Sequence, residues 1–186
     1  AAVRIRVSTF SSGEEAYSIA ILIHEHLQVI KQSLQVQIFA TDLDARAITQ
    51  ARGGTYPASI ATDVSAERLA RFFTLDSDAG VYRIQKAVRD LVVFSEQDLI
   101  RDPPFSRLDL ISCRNLLIYL DGTLQRRLIP LFHYALNPDG VLFLGNSESI
   151  GDSLTLFTPL DRKWKLYVRL DPANHVPAPA LRDFPI

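Results

Sequence analysis

Apolar and polar residues alternate through Val3, Arg4, Ile5, Arg6 and Val7, the period-two pattern of a short strand. The pattern stops at a small polar turn, Ser8, Thr9, Phe10, Ser11, Ser12 and Gly13, and a helix opens on Glu14-Glu15. Residues 16–32 read as amphipathic, with Ile19, Ala20, Ile23, Leu27 and Ile30 at helical spacing. Residues 34–40 alternate and then turn wholly apolar, as a buried parallel strand does, and end at Thr41-Asp42-Leu43-Asp44. Asp44 is placed to cap a second helix over 45–51, which Gly53-Gly54 stops. Strand, tight turn, helix, strand and carboxylate follow one another as in a nucleotide-binding βαβ unit.

The rhythm breaks between Thr55 and Val93. Tyr56-Pro57, a helical stretch at 65–73, a turn at 76–80 and segments at 81–84 and 87–94 predict a helix and a hairpin. That is too long for an ordinary βα connection, so residues 55–93 are expected to form an inserted subdomain, basic at Arg83, Lys86 and Arg89. Residues 91–95 lead back into the sheet and are followed by Gln97-Asp98-Leu99. Pro103-Pro104 makes 101–105 a loop. Residues 108–112 predict another buried strand, which runs into Cys113-Arg114-Asn115 and an apolar stretch ending at Tyr119. An amphipathic helix is expected at 123–136, a turn at Asn137-Pro138-Asp139-Gly140, a strand at 141–144, a polar bend at 145–148 and a last strand at 164–168, with Trp164 in the core. Residues 171–186, carrying Pro172, Pro177, Pro179 and Pro185, read as a poorly ordered tail after a domain spanning 1–170.

Composition changes this picture little. The 186 residues are 47% hydrophobic and 22% charged, enough to bury a core, and the formal net charge of −1 provides no global field for nucleic acid or an anionic membrane. The one cysteine, Cys113, excludes an intrachain disulfide, is expected to pack, and fits a reducing compartment, the cytoplasm. No apolar run reaches the ~20 residues of a membrane helix, and no signal peptide is visible. His24, His26, His133 and His175 are scattered, and no metal site is expected.

The candidate chemistry lies where strands end. Glu15, Asp42, Asp98, Arg114 and Asn115 each follow a predicted buried strand, the edge at which ligands sit in open α/β sheets. The small turn would let a ligand approach backbone, the helix start offers N–H groups, and Asp42 suits a ribose diol, although it could also serve as a cap. Glu14 and Glu15 are equally what the helix dipole alone selects.

The segments SSGEEAYSIA, FATDLD, DLISCRNLLIYLD and LNPDGVLFLGNSESIG resemble those of the CheR family of chemotaxis receptor methyltransferases. The ending LDRKWKLYVR resembles the form found in hybrid esterase/methyltransferase proteins, and the likeness runs from about Arg4 to Arg169. The resemblance implies an α/β, Rossmann-like methyltransferase fold with an inserted antiparallel β-subdomain, S-adenosyl-L-methionine as cofactor and S-adenosyl-L-homocysteine as its product. It implies glutamate methyl ester formation on the cytoplasmic region of methyl-accepting chemoreceptors, for which the 55–93 subdomain is a candidate docking element. By similarity Ser12, Gly13, Glu15, Asp42, Asp98, Leu99, Arg114 and Asn115 line the cofactor site, and Tyr119, with Arg114, lies at the reacting centre. Thr9-Phe10 stands where many relatives have glycine and cysteine, with Phe10 expected to narrow the methionine end of the pocket. The family's N-terminal helical domain lies outside the likeness, so the chain reads as part of something longer.

Two other readings share the opening βαβ unit. A degenerate domain would hold cofactor or partner without turnover, and a nicotinamide-dependent oxidoreductase would be expected to carry the GxGxxG that this turn lacks.

Overall fold

The computed structural model describes residues 2–8 and 12–171. The expectations for Thr9, Phe10, His175 and the proline-rich tail lie outside them. In chain order the elements are β1 Ala2–Ser8, α1 Glu14–Ile30, β2 Gln35–Asp42, α2 Ala45–Gly53, β3 Thr55–Pro57, α3 Ala66–Phe72, β4 Phe73–Asp76, β5 Val81–Ile84, α4 Lys86–Arg89, β6 Val92–Glu96, β7 Leu108–Cys113, α5 Gly122–Ala135, β8 Leu136–Leu144, β9 Phe157–Asp161 and β10 Leu166–Arg169. They group into two compact units, one holding α1 to β6, the other holding β1 together with the chain from Gln97 onward. The architecture is mixed α/β, with mostly parallel main strands and a separate three-stranded antiparallel sheet.

In the first unit β2 pairs with β6 in parallel, from Ile38↔Val92 to Asp42↔Glu96. Helix α1 buries Ala16, Tyr17, Ala20 and Ile21, while Ile30 is 39% exposed, so the core stripe is turned from the one that periodicity indicates. The first turn is anchored through Tyr17, whose ring meets Tyr56 edge-on and whose hydroxyl donates to the Ala51 carbonyl, and this turns the buried face toward Ala16, Tyr17 and Ala20. The Asp44 side chain accepts from the Arg46 N–H and caps α2, and Gly54, in the left-handed region, ends it as expected.

The small sheet has the order β3-β5-β4. Its hairpin joins β4 to β5, with Phe73↔Ile84 through Asp76↔Val81, and β5 also pairs with β3. Residues 87–94 are therefore not a hairpin arm: they divide between the short α4 and β6. Their apolar run belongs to a strand of the main sheet, and periodicity does not reveal which sheet a strand joins. Of the three basic residues only Arg83 lies on the hairpin; Lys86, which pairs with Asp90, and Arg89 lie on α4. Arg68 on α3 forms a bidentate pair with Glu25 on α1, at 2.9 and 2.8 Å.

The second unit pairs β1, β7 and β8 in parallel and adds β10 and β9 antiparallel. β8 runs unbroken through the predicted turn at 137–140. The register passes from Leu108↔Leu136 to Leu110↔Val141, so the extra residues form a bulge, with Asp139 at φ 62°. The bulge is tied down by Asn137 Nδ2, which donates to Asp109 Oδ1 at 2.8 Å. Turn-forming composition here marks a bulge within a strand, not an end of one. Trp164 is 54% exposed and lies beside Lys163, outside the core where sequence placed it. The hairpin that carries it needs β9, a strand whose Pro159 and mixed pattern conceal it.

Candidate functional site

Gly13 caps α1 with φ 84° and has no side-chain cap bond, so the first N–H groups of the helix are left without a capping side chain. Few L-residues adopt that conformation, and a Cβ here would lie 2.8 Å from Ala51 Cβ. Around it stands a cluster of hydroxyls. Tyr56 Oη donates to the Ser12 carbonyl at 2.9 Å, and Tyr17 Oη to the Ala51 carbonyl at 2.7 Å. The Tyr17 ring stands edge-on to Tyr56 and to Phe94. Burial pushes the Tyr17 hydroxyl up to about 12 and lifts Tyr56 further, so both remain donors at neutral pH.

Glu15 is half-buried in the first turn of α1, and Asp42 is half-buried at the end of β2. Asp42 Oδ1 accepts the Asp44 N–H at 3.0 Å. Asp42 therefore helps to shape the turn into α2, while Asp44 is the helix cap. Ser12, Gly13, Glu15 and Asp42 all belong to the first unit.

Asp98, Leu99, Arg114, Asn115 and Tyr119 belong to the second. Asp98 Oδ1 accepts from the N–H groups of Ile100 and Arg101 at 2.8 and 3.1 Å, and the Asp98 N–H donates to Asp102 Oδ2 at 2.7 Å. Its carboxylate thus closes its own turn, beside a half-buried Leu99. That loop is moored to β1. Arg6, 2% exposed, donates from one Nη to Gln97 Oε1 at 2.9 Å and stacks 5.3 Å from the Phe105 ring centre. Burial lowers the Arg6 guanidinium to about 10.

After β7 the chain carries Arg114, whose guanidinium lies 4.8 Å from the Phe143 ring centre. Its Nε is buried without a hydrogen-bond partner. Asn115 is exposed with φ 58°, and Tyr119, 80% exposed, ends a single turn Leu117–Tyr119. This segment is held by Glu148, 4% exposed, in the bend that sequence reads only as polar. Glu148 Oε2 accepts the N–H groups of Asn115 at 3.0 Å and Gly145 at 2.7 Å, and Oε1 accepts that of Leu117 at 2.7 Å. One carboxylate therefore joins the loops that follow β7 and β8. A Cβ at Gly145 would lie 2.7 Å from both Asn115 Oδ1 and Glu148 Oε2, so the cradle has no room for a side chain. Cys113 is fully buried at the end of β7, as packing requires.

Sequence reasoning missed Glu148 and Tyr56. Neither has a spacing signal, because the distant groups that each one holds, at Asn115 and Leu117 for Glu148 and at Ser12 for Tyr56, are backbone atoms 31 to 44 residues away.

A family model described as CheR methyltransferase, SAM binding domain, matches residues 1–166. The chain is 35% identical over 158 residues to Chemotaxis protein methyltransferase 2 of Vibrio cholerae serotype O1, covering 83% of this chain and 54% of that protein. It is 33% identical over 162 residues to the Chemotaxis protein methyltransferase of Salmonella typhimurium, covering 83% and 54%. It is also 35% identical over 170 residues to an uncharacterized 104.1 kDa protein in the hypE 3'region of Rhodobacter capsulatus, covering 91% and 18%. The chain thus spans about half the length of the two chemotaxis methyltransferases and less than a fifth of the third protein.

Proposed function

The chain belongs to the CheR methyltransferase family, and on that footing we propose that it methylates glutamate side chains of bacterial chemoreceptors with S-adenosyl-L-methionine. The observation that carries the reading is the family match across 1–166, which contains every residue assigned a role below. Two features suit such a ligand. Gly13 keeps side-chain bulk away from a helix start, and Arg114 Nε is a buried donor with nothing to bond.

When bound, the cofactor supplies a methyl group on a positively charged sulfur, open to in-line displacement. The acceptor glutamate has an ordinary pKa of about 4.3 and is already ionised at neutral pH, so the chain need supply no general base. The methyl group would pass to a carboxylate oxygen with the bonding electron pair left on sulfur, so that no proton transfer is asked of the chain's residues. The work left to the protein is alignment and exclusion of water. Asp42 accepts from the ribose hydroxyls, and Glu15 pairs with the ammonium group. Ser12 and Gly13 allow close approach, and Asp98, Leu99 and Asn115 line the cofactor. Arg114 holds a carboxylate. Tyr119, mostly exposed, screens and orients the reacting centre. The receptor docks by strand addition on the β3-β5-β4 sheet.

The test is transfer of radiolabelled methyl from S-adenosyl-L-methionine to receptor-containing membranes. Base-labile label on the receptor is expected. Cofactor binding with no label would leave the degenerate, non-catalytic reading in its place.

A further inference from the structure

We propose that Tyr56, on strand β3 of the small antiparallel sheet, is a positioning residue for the cofactor turn, so that this sheet builds the cofactor site as well as docking a partner. The proposal rests on the cofactor reading above. Its basis is one hydrogen bond and the packing around it. Tyr56 is 4% exposed, and its hydroxyl donates to the Ser12 carbonyl at 2.9 Å, immediately before Gly13 turns the chain into α1. A Cβ on Gly13 would lie 3.4 Å from that same hydroxyl and 2.8 Å from Ala51 Cβ, so the turn is seated between β3 and the end of α2. β3 is itself fixed, through Tyr56↔Tyr82 in its pairing with β5 and through Gly54, whose carbonyl accepts the Ile84 N–H at 2.8 Å. The Ser12 carbonyl is thereby given one orientation, and with it the peptide plane that leads into the helix start. Tyr56 touches no ligand in this scheme; it acts through Ser12 and Gly13.

A matched control stands beside it. Tyr17 is also buried, at 2% exposed, and its hydroxyl also donates to a carbonyl, that of Ala51, at 2.7 Å, which is not in the turn. Tyr56→Phe and Tyr17→Phe each delete one oxygen from the same aromatic cluster and keep its packing. The experiment is calorimetric titration of the chain and both variants with S-adenosyl-L-homocysteine, alongside thermal melting of each. Both variants should lose a similar few degrees in Tm. Tyr56→Phe should weaken binding about fivefold and Tyr17→Phe less than twofold, the size that one neutral hydrogen bond transmits. Unchanged affinity in Tyr56→Phe would overturn the proposal, as would an equal loss in Tyr17→Phe, since the effect would then follow stability alone. If the unmodified chain bound no S-adenosyl-L-homocysteine, the cofactor reading itself would fall, an outcome distinct from either of these.

Discussion

Ser12-Gly13, at the start of α1, and the segment after β7 meet the same demand, fixing backbone where a ligand is proposed to lie, by opposite means. In the first, a glycine at φ 84° is wedged against Ala51, and a neutral tyrosine hydroxyl holds the preceding carbonyl. In the second, one buried carboxylate gathers the chain from Asn115 to Tyr119 by accepting the N–H groups of Asn115 and Leu117 together with that of Gly145. The difference is one of what each device leaves behind when removed. A glycine changed to alanine adds bulk and strain that neighbours can partly relieve. A carboxylate changed to alanine leaves buried donors with no acceptor. The post-β7 segment should therefore be the more fragile of the two.

The largest effect expected is that of Glu148→Ala. Three N–H groups lose their acceptor, two of them buried, which costs about 3–5 kcal/mol in stability and should lower Tm by about 10 °C in a chain of this size. Hydrogen exchange at the amides of 115, 117 and 145 should accelerate before global unfolding. A variant as stable as the parent would break the contrast, because the carboxylate would then not be holding the loop.

Gly13→Ala should fall next, at about 2–3 kcal/mol, from the left-handed backbone and the 2.8 Å approach to Ala51 Cβ. Chemical denaturation measures it. Gly13→Ala combined with Ala51→Gly should recover part of that loss, since the clash is relieved and the backbone strain remains. No second substitution near Glu148 should rescue Glu148→Ala in the same way.

The same contrast marks what was legible in the sequence. The βαβ opening, Asp42 at a strand end, Asp44 as cap and Gly54 as stop could all be read because each acts on residues within a few positions of itself. Glu148 could not, because it acts on N–H groups at 115 and 117, and only the fold brings those to it. Misreadings elsewhere have the same root. Asn137 to Gly140 has turn chemistry, yet its neighbours in β7 and the Asp109 carboxylate hold it as a bulge in β8. Residues 87–94 are apolar enough for a hairpin, but β2 claims their second half. Trp164 looks like core by type and is exposed because it caps a hairpin whose outer strand, β9, has no clear period. Among the site residues, Asp98 is legible from its position after a strand, and what the sequence does not show is that its carboxylate also closes its own turn.

The proposed grip of Asp42 on the adenosyl compound beyond β2 is read by calorimetric titration of S-adenosyl-L-homocysteine into the chain and into Asp42→Ala. Saturable binding by the parent and about tenfold weaker binding by the variant are expected, the size of a lost charge-assisted contact. Equal affinity in the two would contradict the account.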